Sequence, residues 1–248
     1  MSEPGGTSPR SIEGEDYAGA TVWGVNFAGA SFEDVNFTDA TMRRVWLRQV
    51  SIDGFIENLV VNGVDVTAAV NAGDPWWPLR GILRPTDGAG HRETWSALRA
   101  RWDDTIAAFE AAGGESPLVS VEGEWSLRDT LRHLVFVTDK WLFAPLTGAT
   151  TFTWLGLSNT GSRDHPWPGV DPAADPDWSE TLRAYDDRCR RVTEFLDGFD
   201  PASLPAEAEV LENGTVPAVE CCFAVFEEEF EHLRYAVRDL ATVRGAVR

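Results

Sequence analysis

Bulky apolar residues recur at every fifth position in residues 16–55. Cut into five-residue blocks, this stretch reads DYAGA, TVWGV, NFAGA, SFEDV, NFTDA, TMRRV, WLRQV and SIDGF. The second place of each block holds a large apolar side chain, and the last place holds alanine, valine or, in the final block, phenylalanine. Neither the 3.6-residue period of a helix nor the two-residue period of a strand produces this spacing. The pattern predicts a repeating unit, with a short meander of strands and turns as the alternative.

The eight blocks resemble the pentapeptide-repeat family. This resemblance implies a short right-handed quadrilateral β-helix over residues 16–66, with the second and last places pointing inward. Phe27, Phe32 and Phe37 are therefore expected to be buried in its interior. The end of this segment, IENLVVNGVDV, breaks the register but stays apolar, and it is expected to cap the open end of the helix.

The flanking segments differ in composition from the repeat. Residues 1–15 have no apolar pattern and are expected to be a disordered N-terminus. Residues 67–90 place Pro and Gly residues around Trp76 and Trp77, which is typical of an ordered connector that packs rather than of a flexible linker.

Residues 91–248 show helical periodicity in four stretches. The predicted helices run from about 91 to 112, from 126 to 143, from 177 to a point before Pro201, and from a point after Thr215 with Pro217 in the first turn. Four helices of similar length with near-heptad apolar stripes predict a four-helix bundle, and an α+β fold class for the whole chain.

Two further features of the bundle bear on function. The second helix has a charged face that consists of Asp129, Arg132, Asp139 and Lys140. The long connection 145–176 carries several aromatic residues and is expected to lie over one mouth of the bundle and shape a pocket. For its histidine, His165, a place on the loop surface is favoured over a ligand role.

Composition and charge exclude several classes of function. A net charge of −19 argues against a nucleic-acid partner or an anionic membrane surface. There is neither a signal-peptide core nor an apolar run near the roughly 20 residues of a membrane span, so a cytoplasmic protein is expected. The repeat, at about two turns and roughly 10 Å, is too short to imitate DNA. The expected partner is a small-molecule substrate, and a homodimer is compatible with the sequence.

The three cysteines do not form a recognisable site. Cys189, Cys221 and Cys222 are an odd set without the spacing of a zinc site. They are expected to be reduced and buried, and not to act as catalytic thiols.

The acidic stretch EEEFEHL raises the question of a metal site, because Glu228 and His232 lie one helical turn apart. In a stretch so rich in glutamate, a carboxylate four residues before a histidine is expected by chance, so the spacing alone does not identify a metal site. However, projection at 100° per residue places both residues at the edge of the apolar arc, away from the charged face. His133 lies at the same kind of margin on the second helix. Each histidine alone is more often structural, but two helices that each bring such a residue to their seam predict a bundle metal site.

The two helices that carry these residues, EWSLRDTLRHLVFVTDKW and VECCFAVFEEEFEHLRYAVRDL, resemble the signature helices of the DinB-like superfamily. The mycothiol-dependent maleylpyruvate isomerase branch of that superfamily has Glu-x-x-x-His in the last helix, as this chain has. The resemblance implies that His133, Glu228 and His232 bind a divalent metal, with Zn²⁺, Ni²⁺ and Fe²⁺ not distinguished. It also implies a low-molecular-weight thiol, such as mycothiol, as cofactor.

The combination of a β-helical segment and such a bundle also resembles a group of actinobacterial DinB-like proteins. In that group a His-Pro pair often precedes Leu-Gly-Leu in the long loop. This chain has Thr153 and Trp154 before Leu155-Gly156-Leu157, so the resemblance supplies no fourth ligand from the loop.

These observations lead to an expected function with two alternatives. The lead interpretation is a metal-dependent transferase or isomerase that uses a small thiol. The alternatives are a metal-dependent hydrolase with the same ligands and a non-catalytic protein that binds a small ligand or a partner.

Overall fold

The computed structural model describes residues 11–12, 14–32, 35–159 and 167–246, so His165 lies outside the described residues. The chain divides into two compact units, Met1–Asp53 and Gly54–Arg248, which are described separately below. Within the described residues, none of the helices combines the length and the apolar character that crossing a membrane requires.

The backbone of the N-terminal unit repeats every five residues. The fourth place of successive blocks has a positive φ, between 55° and 78°, at Gly19, Gly24, Gly29, Asp39, Arg44 and Gln49. In alternate blocks a first-place Asp or Asn side chain accepts a hydrogen bond from the backbone N–H two residues on, as Asn26 does from Ala28 at 3.0 Å. In the same blocks the fifth-place N–H donates to the second-place carbonyl, as Ala30 does to Phe27 at 3.0 Å. Asx turns and left-handed residues thus mark the corners of the repeat.

The three phenylalanines of the repeat are not buried, and the prediction that they would be is wrong. Phe27, Phe32 and Phe37 contact one another edge to face, with ring centroids 5.4 and 5.8 Å apart, but they are 51%, 53% and 49% exposed. The described residues of this unit contain no β-strand, so the closed quadrilateral β-helix is not observed either. Eight blocks supply only about two turns, which are too few to cover the rings from both sides.

The C-terminal unit begins with a short hairpin and two short helices that lead into the bundle. Strand β1 (Val60–Val61) pairs with β2 (Val64–Asp65) in antiparallel fashion, and α1 (Thr67–Gly73) and α2 (Trp77–Arg80) follow. Leu79 is buried, the Trp76 ring packs edge-on against Phe230, and the Arg80 guanidinium lies 5.1 Å from the centre of the same ring. Residues 67–90 therefore pack on the bundle.

Four long helices form the body of this unit. They are α3 (Gly88–Ala112), α4 (Leu127–Thr138), α6 (Trp178–Leu196) and α7 (Glu220–Ala246). Helices α3 and α4 each contact both α6 and α7, and large buried side chains such as Trp102, Tyr185 and Phe226 fill the space between them. The predicted caps are present: Ser126 accepts from the N–H of Asp129, and Asp177 forms a capping box with Glu180. Each cap satisfies backbone donors in the first turn.

The structure contains more elements than the four predicted helices. A π-helix (Asp139–Phe143) and α5 (Ala144–Thr147) extend α4, and short 3-10 turns occur at Ser116–Leu118, Pro201–Ser203 and Leu211–Asn213. Pro217 was predicted inside the last helix but ends strand β4 (Thr215–Pro217), which pairs with β3 (Glu207–Glu209). Proline has no N–H to donate, and the end of a two-stranded hairpin tolerates that. Helix α7 consequently begins at Glu220, after the hairpin.

The charged face predicted for the second helix is mostly buried. Arg132, Asp139 and Lys140 are 7%, 3% and 6% exposed. Asp139 accepts hydrogen bonds from the backbone N–H and hydroxyl of Thr153 at 2.7 and 2.6 Å, and its carboxylate lies 2.8 Å from the Arg188 guanidinium. Burial raises the pKa of Asp139, although Thr153 and Arg188 oppose that shift. The long connection thus lies along α4 and the π-helix, and it supplies the polar partners that solvent would otherwise provide.

Candidate metal centre

Helices α4 and α7 bring His133, Glu228 and His232 together. The Glu228 Oε2 atom is 3.5 Å from His133 Nε2 and 3.3 Å from His232 Nε2. One ligand atom from each residue lies within 4.8 Å of the other two, and no other such group of three occurs in the described part of the chain. The two histidines therefore converge on the same carboxylate, as the helix margins suggested.

These separations fit a shared ion. With ligand bonds of roughly 2.0–2.2 Å, the edge between two ligands of a tetrahedral ion is about 3.4 Å. The measured 3.5 and 3.3 Å are close to that edge. Two imidazole nitrogens and one carboxylate oxygen also form a donor set that accepts Zn²⁺, Ni²⁺ or Fe²⁺. The residues present could thus hold one divalent metal and leave further coordination positions open.

The tautomer of His133 is fixed by the long loop. Its Nδ1 atom lies 2.9 Å from the backbone carbonyl oxygen of Leu157, which can only accept a hydrogen bond. Nδ1 therefore carries a proton, and Nε2, which faces Glu228, is the nitrogen that could bind a metal. An outer hydrogen bond of this kind orients ligating histidines in metalloproteins.

Arg132 holds the part of the loop that contains Leu157. Its Nε donates to the carbonyl of Leu155 at 3.0 Å, and its Nη2 donates to the carbonyl of Ala174 at 2.9 Å. The backbone N–H of Leu157 in turn donates to the carbonyl of Arg132 at 3.1 Å. The residue next to His133 in sequence thus fixes the loop whose carbonyl orients His133.

Trp125 covers the two histidines from the side of the loop before α4. Its ring centroid lies 4.8 Å from that of His133, and it lies nearly parallel to His232 at 6.0 Å. The side chains of His133 and His232 are 5% and 17% exposed, whereas that of Glu228 is 37% exposed. Solvent therefore reaches the cluster mainly past the carboxylate.

The electrostatics of the cluster favour an ionised carboxylate. Burial by itself would raise the pKa of Glu228, but hydrogen bonds from the Nε2 atoms of His133 and His232 in their protonated form, together with the positive charges of these imidazolium groups, outweigh it. The pKa consequently lies below its ordinary value. An anionic ligand beside two imidazoles is the form that binds a divalent cation.

The other described histidine has a structural role. His91 is buried, its Nδ1 lies 2.8 Å from the carbonyl of Asp87, and its ring packs against Phe199 and Phe223. Among the described residues, His91 belongs to no group of side chains that could share a metal ion. His91 thus packs in the core near the start of α3, whereas His133 and His232 belong to a polar cluster between α4 and α7.

The cysteines are free and buried, as predicted. Burial raises the pKa of Cys189 well above its usual range, and it raises those of Cys221 and Cys222 to about 11 and about 12. All three thiols are therefore protonated near neutral pH, which is the unreactive form.

Three contributors to the site were not identified from the sequence. Trp125 directly precedes the cap of α4, a position that places it beside the helix end, but a tryptophan there is equally compatible with core packing. Arg132 was assigned to a charged face, and Leu157 acts through its backbone carbonyl, which side-chain patterns do not reveal.

Two known families match parts of the chain. A model of pentapeptide repeats matches residues 18–54 in eight copies, and a model of the DinB superfamily matches residues 97–236. No curated protein and no solved structure matches the chain. The DinB match covers more than half of the 248 residues and includes both helices of the His133, Glu228 and His232 cluster. The chain belongs to the DinB superfamily.

Proposed function

We propose that this protein is a metal-dependent transferase or isomerase that uses a low-molecular-weight thiol as cofactor. The observation that carries this proposal is the convergence of His133, Glu228 and His232 between two bundle helices. In catalytic metal sites the protein commonly supplies three ligands and leaves a coordination position open, whereas in structural sites it usually supplies four. The Glu-x-x-x-His pair in the last helix is the form that the mycothiol-dependent branch has.

A bound divalent metal would lower the pKa of a small thiol, so that the thiol is a nucleophilic thiolate at neutral pH. The residues of this chain hold and shape the site. The carbonyl of Leu157 keeps Nε2 of His133 directed at the cluster, and Trp125 covers both imidazoles. The chain's own cysteines are buried and protonated, so the thiol must come from outside the protein.

The first experiment measures the metal content of untagged protein that is purified without added metal. We expect about one divalent ion per chain by mass spectrometry of the metal. The substitutions His133→Ala, Glu228→Ala and His232→Ala should each remove it, with little change in the helical circular-dichroism signal.

Two variants serve as matched controls for these substitutions. Glu231→Ala removes a carboxylate one residue before His232 that pairs with Arg234 rather than with the histidines. His91→Gln changes a buried histidine outside the cluster. Both variants should keep the metal. If metal content is the same in all five variants, the metal site lies elsewhere.

The thiol is tested on cobalt-substituted protein. Titration with a small thiol should produce a new near-ultraviolet absorption band, and the His232→Ala variant should not produce it. Metal without any thiol response would favour a hydrolase that uses the same ligands. Absence of metal from the unmodified protein would favour the non-catalytic ligand-binding alternative.

A further inference from the structure

A cavity of about 310 Å³ lies beside the cluster, with His232 in its wall. It is a cleft that is open to solvent on one side, and it is lined by the end of α3, the loop before α4, the first turn of α4 and the last part of α7. Phe109, Trp125 and Leu127 supply apolar surface, and Tyr235 supplies a hydroxyl group. A small organic group that enters this cavity would lie beside His232, the one candidate metal ligand in its wall. The long loop 145–176 is predicted to shape such a pocket, but none of its described residues, 145–159 and 167–176, is in this wall.

The formal charges in the wall are negative. Glu124 and Asp239 line the cavity, and no lysine or arginine does among the described residues. Arg238 lies outside the wall and contacts both carboxylates, with its Nη2 at Glu124 and its Nε at 2.7 Å from Asp239. One guanidinium is thus shared between two carboxylates, which leaves a net charge of about −1 at this end of the cavity.

These carboxylates lie close enough to the candidate metal ligands to affect what binds there. Asp239 is seven residues after His232 on the same helix, a rise of about 10 Å. At that distance in partly desolvated surroundings, one net charge changes the affinity for a charged group by roughly threefold to tenfold. The metal would balance the negative charge of a bound thiolate sulfur. The charges of the cavity wall would then decide which charge is tolerated on the organic group that occupies the cavity.

We infer that this cavity binds the organic part of the substrate, and that it accepts uncharged or cationic groups and disfavours anionic ones such as dicarboxylates. This inference rests on the proposed function, because the occupant of the cavity is a substrate only if the protein is an enzyme. It specifies the class of substrate for that site. Apolar walls favour an aromatic or aliphatic body, and the carboxylates and the Tyr235 hydroxyl favour hydrogen-bond donors on that body.

The test uses three probes of nearly the same size: benzylamine, benzyl alcohol and benzoate. Their binding to the full-length, metal-free protein is measured by ligand-observed NMR at low ionic strength. We expect benzylamine to bind at least fivefold more tightly than benzoate, with benzyl alcohol between them. Because the metal is absent, the result does not depend on whether the metal proposal holds.

Variants then assign the preference to the cavity. In the Glu124→Gln, Asp239→Asn double variant, Arg238 loses both partners, so the ratio of benzylamine to benzoate affinity should fall to about one or below. Glu194→Gln removes one charge at an exposed position on α6 outside the cavity, and it should leave the ratio unchanged.

Three outcomes would overturn the inference. The first is benzoate binding as tightly as benzylamine to the unmodified protein. The second is an unchanged ratio in the double variant, which would assign the preference to the overall charge of the protein. The third is no binding of any probe, which would remove the cavity as a ligand site. Thermal melts of each variant establish that it is folded, and metal content tests the proposed function separately.

Discussion

Replacing Arg132 by methionine should loosen the loop that lies on α4 and weaken metal binding at His133. Methionine keeps most of the apolar stem, so core packing changes little. It removes the donors to the carbonyls of Leu155 and Ala174, which lie at 3.0 and 2.9 Å. Arg132 is 7% exposed, so water does not readily replace the guanidinium.

The magnitude follows from these contacts. A hydrogen bond that involves a charged group contributes about 1.5–3 kcal/mol, and the two to the loop carbonyls are lost, so the free energy of unfolding should fall by about 3–6 kcal/mol. The longer contact from Nη1 to Asp129, at 3.3 Å, is also lost and adds less, because Asp129 is partly exposed. Arg132→Lys keeps the charge but lacks the planar fork that reaches two carbonyls, and it should cost about half as much. Loss of an outer-shell contact typically lowers metal affinity about tenfold to a hundredfold, and the same is expected here through Leu157 and His133.

Three assays separate these effects. Urea unfolding followed by circular dichroism gives the free energy, limited proteolysis reports cleavage within residues 148–177, and competition with a chelator gives the metal affinity. Arg190→Met is the matched control, because Arg190 is 57% exposed and forms surface ion pairs that contribute little. If Arg132→Met resembled Arg190→Met in all three assays, Arg132 would not hold the loop against α4.

Further predictions concern the cysteines and the repeat. Cys189, Cys221 and Cys222 should resist alkylation at neutral pH until the protein is unfolded, because burial keeps them protonated; stoichiometric labelling of the native protein would contradict this. Phe32→Ala should cost only about 1–2 kcal/mol of local stability, since the ring is already half exposed, and hydrogen exchange across residues 18–54 measures it. Residues 1–75 expressed alone should be unfolded by circular dichroism, because the repeat buries too little apolar surface, and a cooperative melt would show otherwise.

The repeat shows which features a local pattern can predict. The second and last places of the blocks predict the five-residue register, and the fourth place carries a further signal. Gly19, Gly24 and Gly29 occupy that place, and each has a positive φ that glycine adopts without steric cost. The exposure of Phe32 could not be predicted in this way, because burial depends on how many turns stack on one another rather than on the pattern within one block.

The bundle shows the same division. Periodicity and caps located the four long helices, since both signals lie within about one turn of the residues concerned. Whether a polar helix face is exposed or buried depends instead on segments that are distant in sequence. Asp139 and Lys140 look like a solvated stripe, yet Thr153 and Glu212 from later parts of the chain cover and pair with them. Only the three-dimensional path of the loop and the hairpin decides this.

The four glutamates of EEEFEHL explain why spacing alone could not identify a metal ligand. Successive residues on a helix point about 100° apart, so neighbouring carboxylates meet different parts of the protein. Their partners are Arg84 for Glu227, the two histidines for Glu228, Tyr185 for Glu229, and Arg80 and Arg234 for Glu231.

Among these residues, Glu229 comes nearest to imitating a ligand. It is 1% exposed, it accepts a hydrogen bond from Tyr185 at 2.6 Å, and burial raises its pKa to about 7. It nevertheless points into the core between α3 and α6, where no histidine approaches it among the described contacts. A buried, perturbed carboxylate is therefore not by itself evidence of a metal site in this helix. Glu228 differs because its side chain points towards His133 on another helix. The packing of α4 against α7 brings the two side chains together.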